Sequence, residues 1–264
     1  MLELLFVIVI LGIVSSIGAE IIAQTYENYI IQRAQYKANI KTELALNQIA
    51  NRLRYAIPST IGARKTAAST YVALDDVTDP DMNVLQWVGY DGDSFEAITS
   101  DTNRRPGWSG FCDLNASDST AIATPGSNLD LASTIIGNLG GDIQNAQLYF
   151  SESAGVSYPV AGGNGETITM DGIPSNTMIS ERYKLAWSSY AVEVDPNQDL
   201  ILHYNFSPTS GTSLANSTTS ILLRNVTNFR FKYSGGAFRI KICKEEQIGA
   251  DSEMIHACKE KVVF

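Results

Sequence analysis

The chain has 264 residues, a length that fits one large domain or two ordinary ones. Hydrophobic residues make up 44% and charged residues 18%, so it is neither a disordered chain nor a multi-span membrane protein. A net charge of −9 argues against a surface built mainly to grip nucleic-acid phosphates. These averages conceal two unlike parts. Residues 1–57 hold five Lys/Arg against four acids, whereas the remaining residues hold 14 basic and 24 acidic groups.

Residues 1–23 read MLELLFVIVILGIVSSIGAEIIA, with Glu3 and Glu20 as the only charges. A helix rises ~1.5 Å per residue and the hydrocarbon core of a bilayer is ~30 Å thick, so about 20 residues are needed to cross it. The stretch suffices if Glu3 is accommodated at or inside one edge. Three readings compete. A cleaved secretory signal finds small residues at Ser16-Ile17-Gly18 but lacks a basic n-region, because the first basic residue is Arg33. A plain membrane anchor leaves Glu3 unexplained unless it snorkels to the interface near a chain end. An ionised carboxylate in hydrocarbon costs several kcal/mol unless paired, so an acid there reads as a functional residue by default.

The third reading makes the stretch the first half of one long helix. There is no glycine between Glu20 and Ile57, and the first proline is Pro58. Ile40, Leu44, Leu46, Ile49, Leu53 and Ile57, flanked by Ala50 and Ala56, read as an apolar stripe at helical spacing, with Lys41, Asn47, Gln48, Arg52 and Arg54 mostly off it. The pattern predicts a single helix over residues 2–57, ~85 Å long, apolar all round in its first half and amphipathic in its second.

The run Glu3-Leu4-Leu5-Phe6-Val7-Ile8-Val9-Ile10-Leu11-Gly12-Ile13 resembles the N-terminus of type IV pilins and of the pseudopilins of type II secretion. Aligned on Glu3 and Gly12, the chain lacks the first two mature residues and the basic leader of that family, and is expected to be trimmed or started from a downstream Met. Major pilins commonly carry proline where this chain has Glu20; its absence predicts an unbroken helix, which is more usual in minor subunits. The resemblance implies that a prepilin peptidase removes a leader and methylates the new N-terminus. It implies that membrane lipid holds the apolar helix before assembly, and that an inner-membrane assembly platform then passes the subunit to other pilins or pseudopilins through that helix. Glu3 would pair with the N-terminal amine of a neighbouring subunit.

Residues 58–264 form the acidic body. As far as residue 142 they are dense in turn residues, and only 84–90 reads firmly as a strand, with 129–136 as a short helix. Beyond it the period changes to two. Strands are predicted at 146–151, 166–171, 183–194, 199–206, 220–223, 226–233, 237–243 and 260–264, with a hairpin turn at Ser234-Gly235-Gly236. The reading is an α+β, pilin-like fold: a long N-terminal helix, membrane-spanning in its first half, packed on an antiparallel meander sheet. Residues 1–57 are the helix and 58–264 a periplasmic head. The segments 222–233 and 238–242 are similar to the last strands of J-type minor pseudopilins and W-type minor pilins.

The family often closes a C-terminal disulfide loop, which the resemblance places at Cys243 and Cys258, worth ~3 kcal/mol in an oxidising compartment. Cys112 is then either a buried thiol or a replacement for one member of that pair. His203 reads as an ordinary sheet histidine, and His256, between two cysteines, matches no zinc spacing. Asp75, Asp76, Asp79 and Asp81, and Asp91 and Asp93 with Glu96, are weak calcium candidates without EF-hand spacing. No phosphate loop or hydrolase motif appears. Broad nucleic-acid binding is not expected, although Arg104, Arg105 and Trp108 compose a local patch of the kind that binds single strands. The chain is therefore expected to be a structural minor pilin or minor pseudopilin and not an enzyme. It would sit in the bacterial inner membrane as a single-pass protein with its head in the periplasm, and then join the tip or initiation complex of a filament. The alternative is an exported binding protein or adhesin on a simple membrane anchor.

Overall fold

The structure is a computed structural model that describes residues 2–74, 77, 81–100, 102–152, 155–174, 177–234, 237–248 and 253–263. Helix α1 runs without interruption over Leu2–Leu53. Its 52 residues make it ~78 Å long. It stops earlier than the predicted 57 because the chain unwinds to join a sheet: Ala56 bridges to Gly89, and the Ile57 N–H donates to the Val88 carbonyl at 2.9 Å before Pro58 opens a short 3₁₀ turn.

Three antiparallel sheets follow instead of one meander. The strands are β1 (Gly62–Arg64), β2 (Val72–Ala73), β3 (Val84–Gly89), β4 (Ala121–Ala123), β5 (Gln147–Phe150), β6 (Tyr158–Asn164), β7 (Thr167–Met170), β8 (Tyr183–Ala186), β9 (Ser188–Val194), β10 (Leu200–Phe206), β11 (Thr218–Leu223), β12 (Val226–Ser234), β13 (Ala237–Ile248) and β14 (Glu253–Val263). Two short helices, α2 (Gly92–Glu96) and α3 (Leu129–Asn138), lie among them. A six-stranded sheet has the order β11-β10-β9-β3-β1-β2, a five-stranded sheet β4-β7-β6-β5-β8, and a three-stranded meander β12-β13-β14.

One core collects Leu46, Ile49 and Leu53 of α1 with Leu85 and Trp87 of β3, Val192 of β9, Leu200 and Leu202 of β10, and Phe229, Ile240 and Ile242 of the meander. Helix α1 thus covers the meander, as expected, and the six-stranded sheet closes the same core. The helix face that does this differs from the expected stripe. Ala38, Thr42, Ala45, Leu46, Ile49, Ala50 and Leu53 are buried, while Ile40 and Leu44 point outward at 38% and 55% exposure. Leu46 lies six residues beyond Ile40, roughly 240° round the helix, so one stripe could not hold both. The small side chains Ala34 and Ala38 sit against Ile255 and Ala257 of β14, where a larger residue would hold the helix away. The hydroxyl of Thr42 is satisfied within the helix, donating to the Ala38 carbonyl at 2.8 Å.

The segment between β3 and β9 is an excursion with its own core. β3 and β9 pair directly, Val84 opposite Glu193 and Gly89 opposite Ser188. The chain between them builds α2, α3 and the five-stranded sheet around Trp108, Ile122, Ile136, Leu148, Ile168 and Leu185. The single strand predicted at 183–194 is therefore two strands in two sheets, broken at Trp187: β8 pairs with β5, and β9 with β3 and β10. β6 lay hidden because Gly162-Gly163 reads as a turn; in the fold an added Cβ on Gly163 would come within 3.2 Å of Leu129 Cβ, so the glycine lets α3 sit close. β13 and β14 outrun the expected 237–243 and 260–264 because their polar ends are held by cross-strand pairing as far as Ile248 opposite Glu253. Ser234 pairs with Ala237 across the expected hairpin, whose Gly235 and Gly236 lie outside the described residues.

The corrected stripe has a measurable consequence. Ala38→Leu overpacks the contact with β14 and should cost about 1–3 kcal/mol, whereas Ile40→Ser and Leu44→Ser should each stay within about 0.5 kcal/mol. Chemical denaturation followed by tryptophan fluorescence checks this; equal losses at all three positions would contradict the assigned face.

Candidate membrane-anchoring and assembly segment

The candidate site is built by α1 alone. Glu3 lies in its first turn, where the positive end of the helix dipole favours a carboxylate. Leu4, Leu5, Phe6, Val7, Ile8, Val9, Ile10, Leu11, Gly12 and Ile13 follow in the same helix, and every one of them is exposed. The least exposed of the large apolar side chains in this run, Val9, is still 52% open. An extra Cβ on Gly12 or Gly18 would meet nothing within 4 Å. Among the described residues the apolar half of α1 therefore packs against no other part of the chain, and by length and composition it can span a membrane.

Ile21, Ile22, Thr25, Tyr26 and Tyr29 border a shallow hollow at its far end. Tyrosines at such a junction suit a membrane–water interface, and the first basic residues beyond it, Arg33 and Lys37, are exposed. Sequence reading passed over Tyr26 and Tyr29, although aromatics directly after an apolar run are the signal for such anchors. Between Ala23 and the first fully buried position, Ala38, the helix is largely exposed, which sets the head about 20 Å from the end of the apolar run.

Cys243 and Cys258 are directly opposed on β13 and β14 and form a disulfide, with Cα atoms 4.1 Å apart. Cys112 is the free thiol. It is buried, with Sγ 3.4 Å from Ser117 Oγ, and burial pushes its pKa up. His256 has its Nδ1 3.0 Å from Glu245 Oε1 across the same ladder, and the flanking cysteines, being oxidised, offer no thiolate. His203 is a buried sheet residue held between Ser217 Oγ at 2.7 Å and Glu193 Oε1 at 3.1 Å.

Among the described residues the acidic candidates are not brought together. Asp75, Asp76 and Asp79 lie outside the described residues. Asp91 and Asp93 belong to the start of α2, and Glu96 accepts a 2.7 Å hydrogen bond from the Tyr55 hydroxyl. Among the described residues no three His, Cys, Asp or Glu side chains are grouped to hold a metal ion. Trp108 is in the core, donating its indole N–H to the Asp91 carbonyl at 2.9 Å, and Arg105 pairs with Glu166 at 2.9 Å, so the expected patch presents no stacking ring.

Asp91 is where the two cores join. Its N–H donates to the Leu185 carbonyl at 2.7 Å, its Oδ1 accepts from Ser94 N at 3.1 Å, and its Oδ2 is buried without a well-formed hydrogen bond among the described residues. Burial raises its pKa, against the hydrogen bonds from Ser94 and the weaker influence of the Trp187 side chain, which lower it. Compared with protein-family models, curated proteins and solved structures, the chain matches none.

A raised folded-state pKa means that the protonated acid suits the fold and the ionised acid does not. The contribution of Asp91 is therefore present below the ordinary aspartate value of about 3.9 and is lost as pH rises through the higher folded-state value. Asn also caps helices, so Asp91→Asn should keep α2 and remove this dependence. Denaturation measured from acid to neutral pH should show the wild type losing stability relative to the variant as pH rises. Parallel curves would count against a strained acid at this junction.

Proposed function

We propose that the protein is a structural subunit, a minor pilin or minor pseudopilin, and not an enzyme. It is held in the bacterial inner membrane by the first half of α1 with its head in the periplasm, and is drawn into the tip or initiation complex of a type IV pilus or type II secretion pseudopilus. The observation that carries this reading is a single unbroken helix with an uncovered apolar start, one acid at position 3, and a far half locked into the core of the head. A simple tether needs neither the acid nor the rigid continuity. A filament subunit uses both, since a rod that is part of the head's core transmits any displacement of the helix to the head.

Two more observations support it. The disulfide staples the last two strands, as suits a head folded in an oxidising compartment. The excursion between β3 and β9 adds a second core to the head, a bulk that fits a cap better than a repeated shaft subunit. In the assembled filament Glu3 faces the N-terminal amine of a neighbour, and removing one partner of such a buried pair costs about 3–5 kcal/mol.

Glu3→Val keeps the segment apolar, so membrane insertion should be unchanged while incorporation into filaments is lost. Membrane fractionation and quantification of the subunit in sheared filaments measure the two separately. Incorporation of the variant at the wild-type level would reject the role given to Glu3.

A further inference from the structure

A groove of about 680 Å³ opens at the seam between the two cores, bordered by the turn after α3, the start of β5, Trp187 and the loop joining β10 to β11. Its volume is that of a site for a small ligand, and seams between units of a fold are a common place for one. No residue of α1 lines it, so what it does is separate from filament assembly.

We propose that this groove binds a neutral saccharide. The lining carries the side-chain amides of Gln144, Asn145, Gln147 and Asn216, and among the described residues none of these amides makes a hydrogen bond within the chain. A primary amide offers both donors and an acceptor, which matches a sugar hydroxyl that is itself donor and acceptor. Among the described residues the lining contains no Lys, Arg or His, and Asp142 is its one carboxylate. The C-terminal end of α3 adds partial negative charge beside it. Phosphate and carboxylate ligands are thus disfavoured on charge, while an uncharged polyol is not.

Trp187 supplies the complementary apolar surface. It is half-buried and packed against the second core, and its ring lies so close to Gly141 that an added Cβ there would sit 2.4 Å from Cε3. The face of an indole carries partial negative charge and attracts polarised C–H bonds such as those on one face of a pyranose. The loop geometry is fixed as well: Gly140 has φ +88°, a conformation suited to glycine, and Asp142 Oδ1 accepts from Gln144 N at 2.9 Å. A peptide would need a free strand edge or deep apolar side-chain pockets, and the lining instead presents amides beside Trp187, with Phe206 buried beneath.

The test uses the full-length protein in phosphatidylethanolamine/phosphatidylglycerol nanodiscs prepared without sugar-based detergent. It is applied to a glycan array carrying neutral hexose and N-acetylhexosamine oligosaccharides beside sialylated ones, and to a random-peptide array. Binding to neutral glycans is expected. Titration with the best of these should change the intrinsic fluorescence through Trp187, because Trp87 and Trp108 are buried, and Trp187→Phe should abolish that change. Asn145→Ala with Asn216→Ala should weaken binding about tenfold, the loss of one or two neutral hydrogen bonds, with thermal unfolding unchanged because both side chains are exposed. No glycan bound, binding to sialylated glycans alone, preference for peptides, or affinity unaltered by the double substitution would each overturn the proposal.

Discussion

Ala38, Ala45, Ile49 and Leu53 press one narrow face of α1 onto the β12–β14 meander and the six-stranded sheet, and the rest of the molecule depends on that contact. Without it Phe229, Ile240 and Ile242 on one side and Trp87 on the other would lose their common cover. The small residues at the start of the face set the distance and the large ones near its end fill the core. A side-chain bond reinforces the seam, with Lys261 Nζ donating to Asn47 Oδ1 at 2.6 Å. The helix is therefore structural to the head and cannot be detached as a separate anchor.

The same helix extends about 30 Å past its last aqueous residues as a rod of exposed Leu, Ile, Val and Phe. Apolar surface of that extent is not stable in water, and none of the described residues of the head covers it. A membrane can do so, since the segment is long and apolar enough to span one. No proline or glycine interrupts the stretch between Glu20 and Leu53, and the helix runs unbroken through the glycines at 12 and 18. The apolar half, the stand-off and the head are one mechanical unit, and this is the property on which the filament reading draws.

The head owes its size to the loop from β3 to β9, which grew into a unit with its own core. The two units meet at Tyr90, Asp91 and Trp187. Tyr90 N–H donates to the Tyr55 carbonyl at 2.8 Å, and Asp91 ties to β8. A buried carboxyl oxygen without a well-formed hydrogen bond at that joint is a cost that the surrounding packing sustains. Trp187 turns the chain from one sheet to the other and in the same position becomes part of the groove wall, so the break in the strand and the binding surface share one cause.

Much of this was legible in the sequence. The uncharged run, the acid at position 3 and the absence of helix breakers determined the long apolar helix, because charge and backbone propensity act locally and need no partner to be read. Period-two alternation determined most strands of the second half for the same reason, and the short helix expected at 129–136 forms over Leu129–Asn138. What the tertiary structure alone decided was which groups meet. Ile40 and Leu44 are as apolar as Leu46, and only the position of β14 decides that Ala38 is inside and they are not. The division of 183–194 between two sheets, the strand over Gly162-Gly163 and the identity of Cys112 as the free thiol likewise rest on contacts between residues far apart in the chain. Local pattern fixes what a segment can be; long-range packing fixes which face is buried and what it touches.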